Sequence, residues 1–152
     1  MPDAIRAASL LPEAAEEVLE TMFFTSAAPA ENPRPGAGRA LAVRVRFEGA
    51  PSGTFGLAVD EAQARRIASN FLGAEDEAAL TGGQITDVMC ELANMICGSV
   101  LSRLEANATF DIERPEPLDG GEEFPPGLDA RCYLDVDEGT LALAIDFDEE
   151  EP

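Results

Sequence analysis

Apolar residues near the start of the chain recur at helical spacing. Ser9 is predicted to be the N-cap and Pro12 to lie in the first turn of a helix that runs to about Phe24. The segment 26–38 carries three prolines and two glycines and is predicted to be a loop. The helical residues expected to face the core are Leu11, Ala15, Val18, Leu19, Met22 and Phe23.

The next two segments have patterns typical of strands. The first alternates between apolar and polar residues, and the second is short and mostly apolar. Residues 41–47 (LAVRVRF) place Arg44 and Arg46 on one face and apolar side chains on the other. Residues 54–59 (TFGLAV) follow after the turn-forming GAPSG sequence. The two segments are therefore predicted to form a β-hairpin.

Two more helices are predicted after this hairpin. Asp60 is expected to cap a helix that ends at about Leu72, with Gly73 as its stop signal. Thr81 and Gln84 form a capping-box pattern at the start of the longest helix, which is expected to continue to about residue 105.

The C-terminal third is predicted to contain three strands. These are residues 108–113, 132–136 and 140–147, and the last two form a hairpin around Asp137-Glu138-Gly139. Residues 114–127 carry four prolines and three glycines and are predicted to be a loop. The final segment 146–152 (DFDEEEP) is acidic and expected to be frayed.

This order of elements indicates an α+β fold, with a mainly antiparallel sheet and helices packed on it. The length of 152 residues suits a single domain spanning residues 1–152, with a core at about 10–147 and an acidic C-terminal tail at 148–152. The sequence shows no internal repeat.

Charge and composition exclude several classes of function. The net charge is −20, and all ten basic residues are arginines. Because such a field repels phosphate backbones and anionic lipids, nucleic-acid and membrane-surface binding are not expected. No stretch approaches the roughly 18 apolar residues of a membrane span. The three cysteines indicate free thiols in a reducing cytoplasm. The absence of histidine excludes histidine-based catalysis and metal sites that use histidine.

The longest predicted helix carries the candidate site. At about 100° per residue, Asp87, Glu91, Asn94 and Gly98 lie within about 60° of one another, opposite a stripe of apolar residues. Any exposed helix face carries polar residues. Asn94 and Gly98, however, both weaken a helix without helping the core, glycine by about 1 kcal/mol relative to alanine. A functional surface is therefore expected on this stripe.

The sequence ELANMICG (residues 91–98), preceded by Asp87, resembles the signature of the CheC/CheX/FliY phosphatases of bacterial chemotaxis. Its single copy is similar to the CheX-like branch. The surroundings agree with this resemblance: PEAAEEVLETMFF at residues 12–24, FLG at residues 71–73 and the proline-containing stretch at residues 114–120.

The resemblance implies a phosphatase that removes the phosphoryl group from the aspartyl phosphate of a CheY-like receiver domain. Asn94 would orient the attacking water, and Glu91 would pair with the receiver's lysine. Asp87 would be a docking or solvated residue, and Gly98 would admit the receiver surface. The protein would need no cofactor of its own, because the receiver brings Mg²⁺. Family resemblance also suggests a homodimer formed through the sheet, and exposed hairpin edges would permit it.

Three other interpretations are compatible with the same residues. The protein could be a non-catalytic adaptor or sensor that binds the phosphorylated receiver without hydrolysis. It could be a structural component of a flagellar switch, although no appended assembly domain is visible. It could also be an unrelated acidic α+β protein whose helix matches the motif by chance. Binding and turnover measurements distinguish these cases.

Overall fold

A computed structural model describes residues 2–30, 40–49, 51–104, 109–118, 130–136 and 139–148. In this part of the chain, helices pack on one face of a seven-stranded antiparallel sheet, which confirms the predicted α+β fold. The elements are α1 (Pro2–Met22), β1 (Ala27–Pro29), β2 (Ala40–Glu48), β3 (Gly53–Asp60), α2 (Glu61–Leu72), a 3₁₀ turn (Glu77–Ala79), α3 (Gly82–Leu104), β4 (Asp111–Ile112), β5 (Glu116–Leu118), β6 (Ala130–Val136) and β7 (Gly139–Phe147).

Helix α1 begins about two turns before its predicted start, so Ser9 is not its N-cap and Pro12 lies inside it. Pro12 removes only one backbone hydrogen bond, to the carbonyl of the exposed Ala8, which water can satisfy. Burial of Ala7 and Leu11 extends the apolar stripe towards the N-terminus and favours the longer helix.

The predicted inward face of α1 is confirmed except at one position. Met22 is 47% exposed, because the helix ends there and the chain turns. The next residue, Phe23, is fully buried and stacks on Phe71 of α2 with 4.4 Å between ring centroids. The apolar contact at this end of α1 is therefore made by Phe23 rather than by Met22.

Both predicted hairpins are present, and they lie side by side in the sheet. The strand order is β1-β6-β7-β3-β2-β4, with β5 also paired to β2. Strands β2 and β3 pair from Ala40 opposite Asp60 to Phe47 opposite Gly53. The inward residues of the four central strands meet the helices and form the core, with Phe47, Phe55 and Leu57 among its largest side chains.

Short strands cover the outer edges of both hairpins. Strand β1, in a segment predicted to be loop, pairs with β6; β4 and β5 pair with β2. These strands are too short and too rich in proline to give a strand pattern: β1 ends at Pro29 and β5 contains Pro117. These short strands pair with only part of β6 and β2, and the homodimer stays a prediction.

Within residues 109–113 of the strand predicted at 108–113, only Asp111–Ile112 form a strand, and the predicted loop at 114–127 contains β5. Together these two strands form one edge that runs antiparallel along β2. Ile112 lies opposite Phe47, and Glu116 lies opposite Arg44. The edge therefore advances by four residues where β2 advances by three. One extra residue is therefore accommodated at 113–115 as a β-bulge, and the amide of Glu113 donates to the Arg46 carbonyl at 2.8 Å.

Helix α3 lies against α1, α2 and β2 and is the central element of the helical layer. It is also the one helix of the described residues that is long and apolar enough to cross a bilayer, with a mean hydropathy of 1.2 over 18 residues. This finding qualifies the expectation that no stretch approaches a membrane span. Half of that window is buried inside the protein, as in the core helix of a soluble domain.

The acidic end of the chain is partly ordered, contrary to the expectation for 146–152. Asp146 and Phe147 belong to β7, and Asp148 forms an ion pair with Arg46. The edge of the sheet and this ion pair hold the segment in place. Parts of several predicted segments lie outside the described residues. They are residues 149–152 of the tail predicted at 148–152, the loop segments 31–38 and 119–127, residue 105 at the expected end of α3, residue 108 of the predicted strand, and Asp137 and Glu138 of the predicted turn.

Candidate functional site

Helix α3 is two-sided, as its sequence predicts. The predicted stripe of Ile85, Met89, Leu92, Ile96 and Val100 is buried throughout. On the opposite side Asp87 and Glu91 are exposed, and Asn94 and Gly98 are half-buried. The structure therefore brings the four sequence-predicted site residues to one face of one helix, where neighbouring turns place side chains about 5–6 Å apart.

The start of α3 is fixed by two sets of hydrogen bonds. Thr81 and Gln84 form the predicted reciprocal capping box, with distances of 2.8 and 3.1 Å. Arg65 of α2 donates to the carbonyls of Glu77 and Leu80 and anchors the segment before the helix. These contacts set the rotation and the starting point of α3, and therefore the direction in which its polar face points.

A groove of about 360 Å³ lies between this face and the bulged edge strand. Helix α3 contributes one wall, including Asp87, Glu91 and Asn94. The bulge and β5 contribute the other. The lining residues are Thr86, Asp87, Cys90, Glu91, Asn94, Arg114, Pro115 and Pro117.

Three charged side chains and one amide side chain of this groove have no partners within the described protein. Asp87, Glu91, Asn94 and Arg114 form no ion pair or side-chain hydrogen bond there. The arginines of the exposed strand face differ, because Arg44 pairs with Glu116 at 3.0 Å and Arg46 pairs with Glu48 at 2.9 Å and with Asp148.

Gly98 lies at the end of the stripe, beyond the groove lining. A Cβ atom at this position would be 3.7 Å from Cδ1 of Ile112 in β4, which is an ordinary van der Waals contact. Its nearest neighbour is therefore this protein's own edge strand, and alanine would fit there. Its role in admitting a receiver stays a prediction.

The thiols next to the site are poor nucleophiles. Burial raises the pKa of Cys90, Asp87 raises it further, and Arg114 partly opposes both effects. Burial raises the pKa of Cys97 to about 12. Since the thiolate is the reactive form, a raised pKa lowers the reactivity of both groups near neutral pH. The Cys97 side chain is buried, whereas Cys90 is half-buried and lines the groove.

Sequence reasoning missed the second wall of the groove. Arg114, Pro115 and Pro117 were assigned to a loop, and only the bulge brings them opposite Asn94. No periodicity marks such a wall, since the edge strand is interrupted. Among the described residues, no cluster of three histidine, cysteine or acidic side chains is arranged to hold a metal ion.

Solved structures with a similar fold include chemotaxis proteins of several bacteria. The chemotaxis protein CheX of Desulfovibrio desulfuricans is 18% identical, with a TM-score of 0.72 over 93% of this chain and 99% of that one. CheX of Vibrio vulnificus is 20% identical, with a TM-score of 0.72 over 93% and 96%. The CheX–CheY–BeF₃–Mg²⁺ complex of Borrelia burgdorferi contains a chain that is 21% identical, with a TM-score of 0.68 over 93% and 97%. No curated protein matches the sequence significantly.

The sequence itself assigns the family. The family model for chemotaxis phosphatase CheX matches residues 41–125, which is more than half of the chain. The match includes the first hairpin, helix α3 with its polar stripe and the bulged edge strand. The chain is therefore a member of the CheX family of chemotaxis phosphatases.

Proposed function

We propose that this protein hydrolyses the aspartyl phosphate of a CheY-like receiver domain that docks on the polar face of α3. One observation carries the proposal: Glu91 and Asn94 line a single open groove and are unpaired within the described protein. Membership of the CheX family supports the same reaction. So does the likeness to the chain that binds CheY in the Borrelia burgdorferi complex.

Hydrolysis of the aspartyl phosphate requires few catalytic groups from the phosphatase. An acyl phosphate is already activated, and the receiver supplies Mg²⁺ and a lysine that offset the developing charge. What remains is to hold a water in line with the scissile phosphorus–oxygen bond, since phosphoryl transfer depends mainly on positioning and electrostatics. A side chain fixed on a rigid helix suits that task.

Asn94 is the proposed water-positioning residue. Its amide oxygen accepts a hydrogen bond from water, while its NH₂ group donates to a second acceptor. The residue is half-buried in the wall of the groove that α3 contributes, on a helix whose other side is packed in the core. The backbone position of Asn94 is therefore fixed by the packing of α3.

Glu91 is the proposed docking residue. It lies one turn before Asn94, is exposed and has no cation within the described protein. A carboxylate at that place would pair with the lysine of the receiver and set the register of docking. Asp87 continues the same stripe by one further turn and would widen the docking face.

The test is phosphate release from a panel of Mg²⁺-loaded, phosphorylated receiver domains. Wild-type protein should hasten release from at least one receiver, and Asn94→Ala should abolish that effect. Ser102→Ala, an exposed change near the end of the same helix, serves as the control and should behave as wild type. Binding of the phosphorylated receiver without faster decay would instead identify an adaptor. Neither binding nor turnover with any receiver would contradict the proposal.

A further inference from the structure

The bulged edge strand places one arginine against the proposed docking face. Arg114 is the central residue of the bulge at 113–115 and lines the same groove as Glu91 and Asn94. Bulges of this kind redirect a side chain that regular strand pairing would point elsewhere. The direction of Arg114 is thus a consequence of the extra residue in the edge strand.

The backbone on both sides of Arg114 is held by the sheet. On one side, the amide of Glu113 donates to the Arg46 carbonyl at 2.8 Å, and β4 pairs with β2. On the other side, β5 pairs with β2, and the Glu116 carboxylate accepts a hydrogen bond from Arg44 at 3.0 Å. The guanidinium is therefore carried by an anchored segment, although the side chain itself is exposed.

Its charge is not used within the described protein. Arg114 forms no ion pair or side-chain hydrogen bond there, even though Asp87 and Glu91 line the same groove. It does act on its surroundings, because it lowers the pKa of the Cys90 thiol against the effects of burial and of Asp87. Among the residues that the structure describes, it is the one cation in the lining of this groove.

A phosphoryl dianion entering the groove would meet two carboxylates on a protein with a net charge of −20. Coulomb repulsion would oppose phosphorylated receivers more than unphosphorylated ones. The planar guanidinium is the side-chain group best suited to bind phosphoryl oxygens, with two parallel hydrogen bonds. An unpaired arginine in this place would supply an attraction for the phosphoryl group that opposes this repulsion.

We propose that Arg114 is a specificity-determining residue that binds the phosphoryl oxygens of the docked receiver and makes binding depend on phosphorylation. This inference rests on the proposed function and goes beyond it, because Glu91 and Asn94 provide no positive charge. Arg114 takes no part in proton transfer or bond formation. It contributes to recognition of the phosphorylated state.

The experiment compares binding of one receiver in two states, Mg²⁺-loaded with and without beryllofluoride, to wild type, Arg114→Gln and Arg131→Gln. Arg131 is exposed, lies at the other side of the sheet on β6 and bonds to Tyr133, so its loss changes the net charge equally. We expect Arg114→Gln to weaken binding of the beryllofluoride-activated receiver about tenfold. Binding of the inactive receiver should change less than twofold, and Arg131→Gln should leave both affinities unchanged.

Two results would overturn the inference. Equal weakening for both receiver states would mean that Arg114 acts through general electrostatics, and unchanged affinities would mean that it does not contact the phosphoryl group. Phosphate release in the same samples separates this inference from the proposed function. If Asn94-dependent release persists while Arg114→Gln binds like wild type, only the role of Arg114 is wrong. If wild type neither hastens release nor prefers the activated receiver, both are wrong.

Discussion

Thr81 and Gln84 exchange two hydrogen bonds at the start of α3: the Thr81 amide donates to Gln84 Oε1 at 2.8 Å, and the Gln84 amide donates to Thr81 Oγ1 at 3.1 Å. Two backbone donors that the helix itself leaves unsatisfied are paired in this way. Gly82 and Gly83, which follow Thr81, oppose helix formation in the same turn. The capping box therefore offsets the cost of these glycines at the beginning of the helix that carries the site.

Removing the cap should destabilise the protein. We expect Thr81→Ala to lower the free energy of unfolding by about 1 kcal/mol, as measured by urea denaturation. Thr81→Ser keeps a hydroxyl at the cap and is the matched control, with a smaller loss. An unchanged free energy of unfolding in Thr81→Ala would show that the cap does not hold the start of α3.

Phe24 ends α1 with a left-handed backbone conformation, at φ 52°. The Thr25 amide bonds to the Leu19 carbonyl at 2.9 Å, as in helix ends that ordinarily use glycine at this place. The Phe24 side chain is 70% exposed, so it offers little packing in return. Phe24→Gly should therefore exceed Phe24→Ala in free energy of unfolding by about 1 kcal/mol. Equal stabilities of the two variants would contradict this account.

The ion pair of Arg46 with Asp148 ties the end of β7 to β2, and the Arg46 guanidinium lowers the pKa of Asp148 below its ordinary value of 3.8. A lowered folded-state pKa contributes stability above the unfolded-state value, and that contribution is lost as pH falls through the folded-state pKa. Asp148→Asn should therefore be less stable than wild type near pH 7, by under about 1 kcal/mol because the pair is exposed.

The difference between Asp148→Asn and wild type should shrink as the pH falls below 3.8 and vanish at more acidic pH. Urea denaturation of both proteins across this range measures it. A difference that does not depend on pH would mean that the substitution acts through packing rather than through charge.

The roles of Glu91 and Asn94 should be distinguishable when receiver binding and phosphate release are measured separately. We expect Glu91→Gln to weaken receiver binding about tenfold while leaving the rate at saturation within a few fold of wild type. Glu13→Gln makes the same change in net charge on the exposed face of α1 and should alter neither quantity. A loss in the saturated rate with unchanged binding would instead give Glu91 a role in the reaction itself.

Local sequence signals were sufficient to predict α3 and the residues on its polar face. One helix contains all of these signals: the capping box at Thr81, the apolar stripe, and two residues of poor helix propensity, Asn94 and Gly98. The second wall could not be predicted, because β4 and β5 depend on pairing with β2 and place prolines at an edge. Arg114 reaches the groove only through that long-range pairing. The early start of α1 could not be predicted either, because it also depends on packing against distant parts of the chain. The burial of Ala7 and Leu11 outweighs the local signal of Pro12.

The decay of a phosphorylated receiver at saturating concentrations of wild type and of Asn94→Ala tests the central claim most directly. Saturation removes differences in binding, so the two decay rates compare the positioning of water alone. We predict that wild type hastens decay, and that Asn94→Ala binds the receiver but leaves its decay at the rate of the receiver by itself. Equal acceleration by both proteins would contradict the assignment of Asn94.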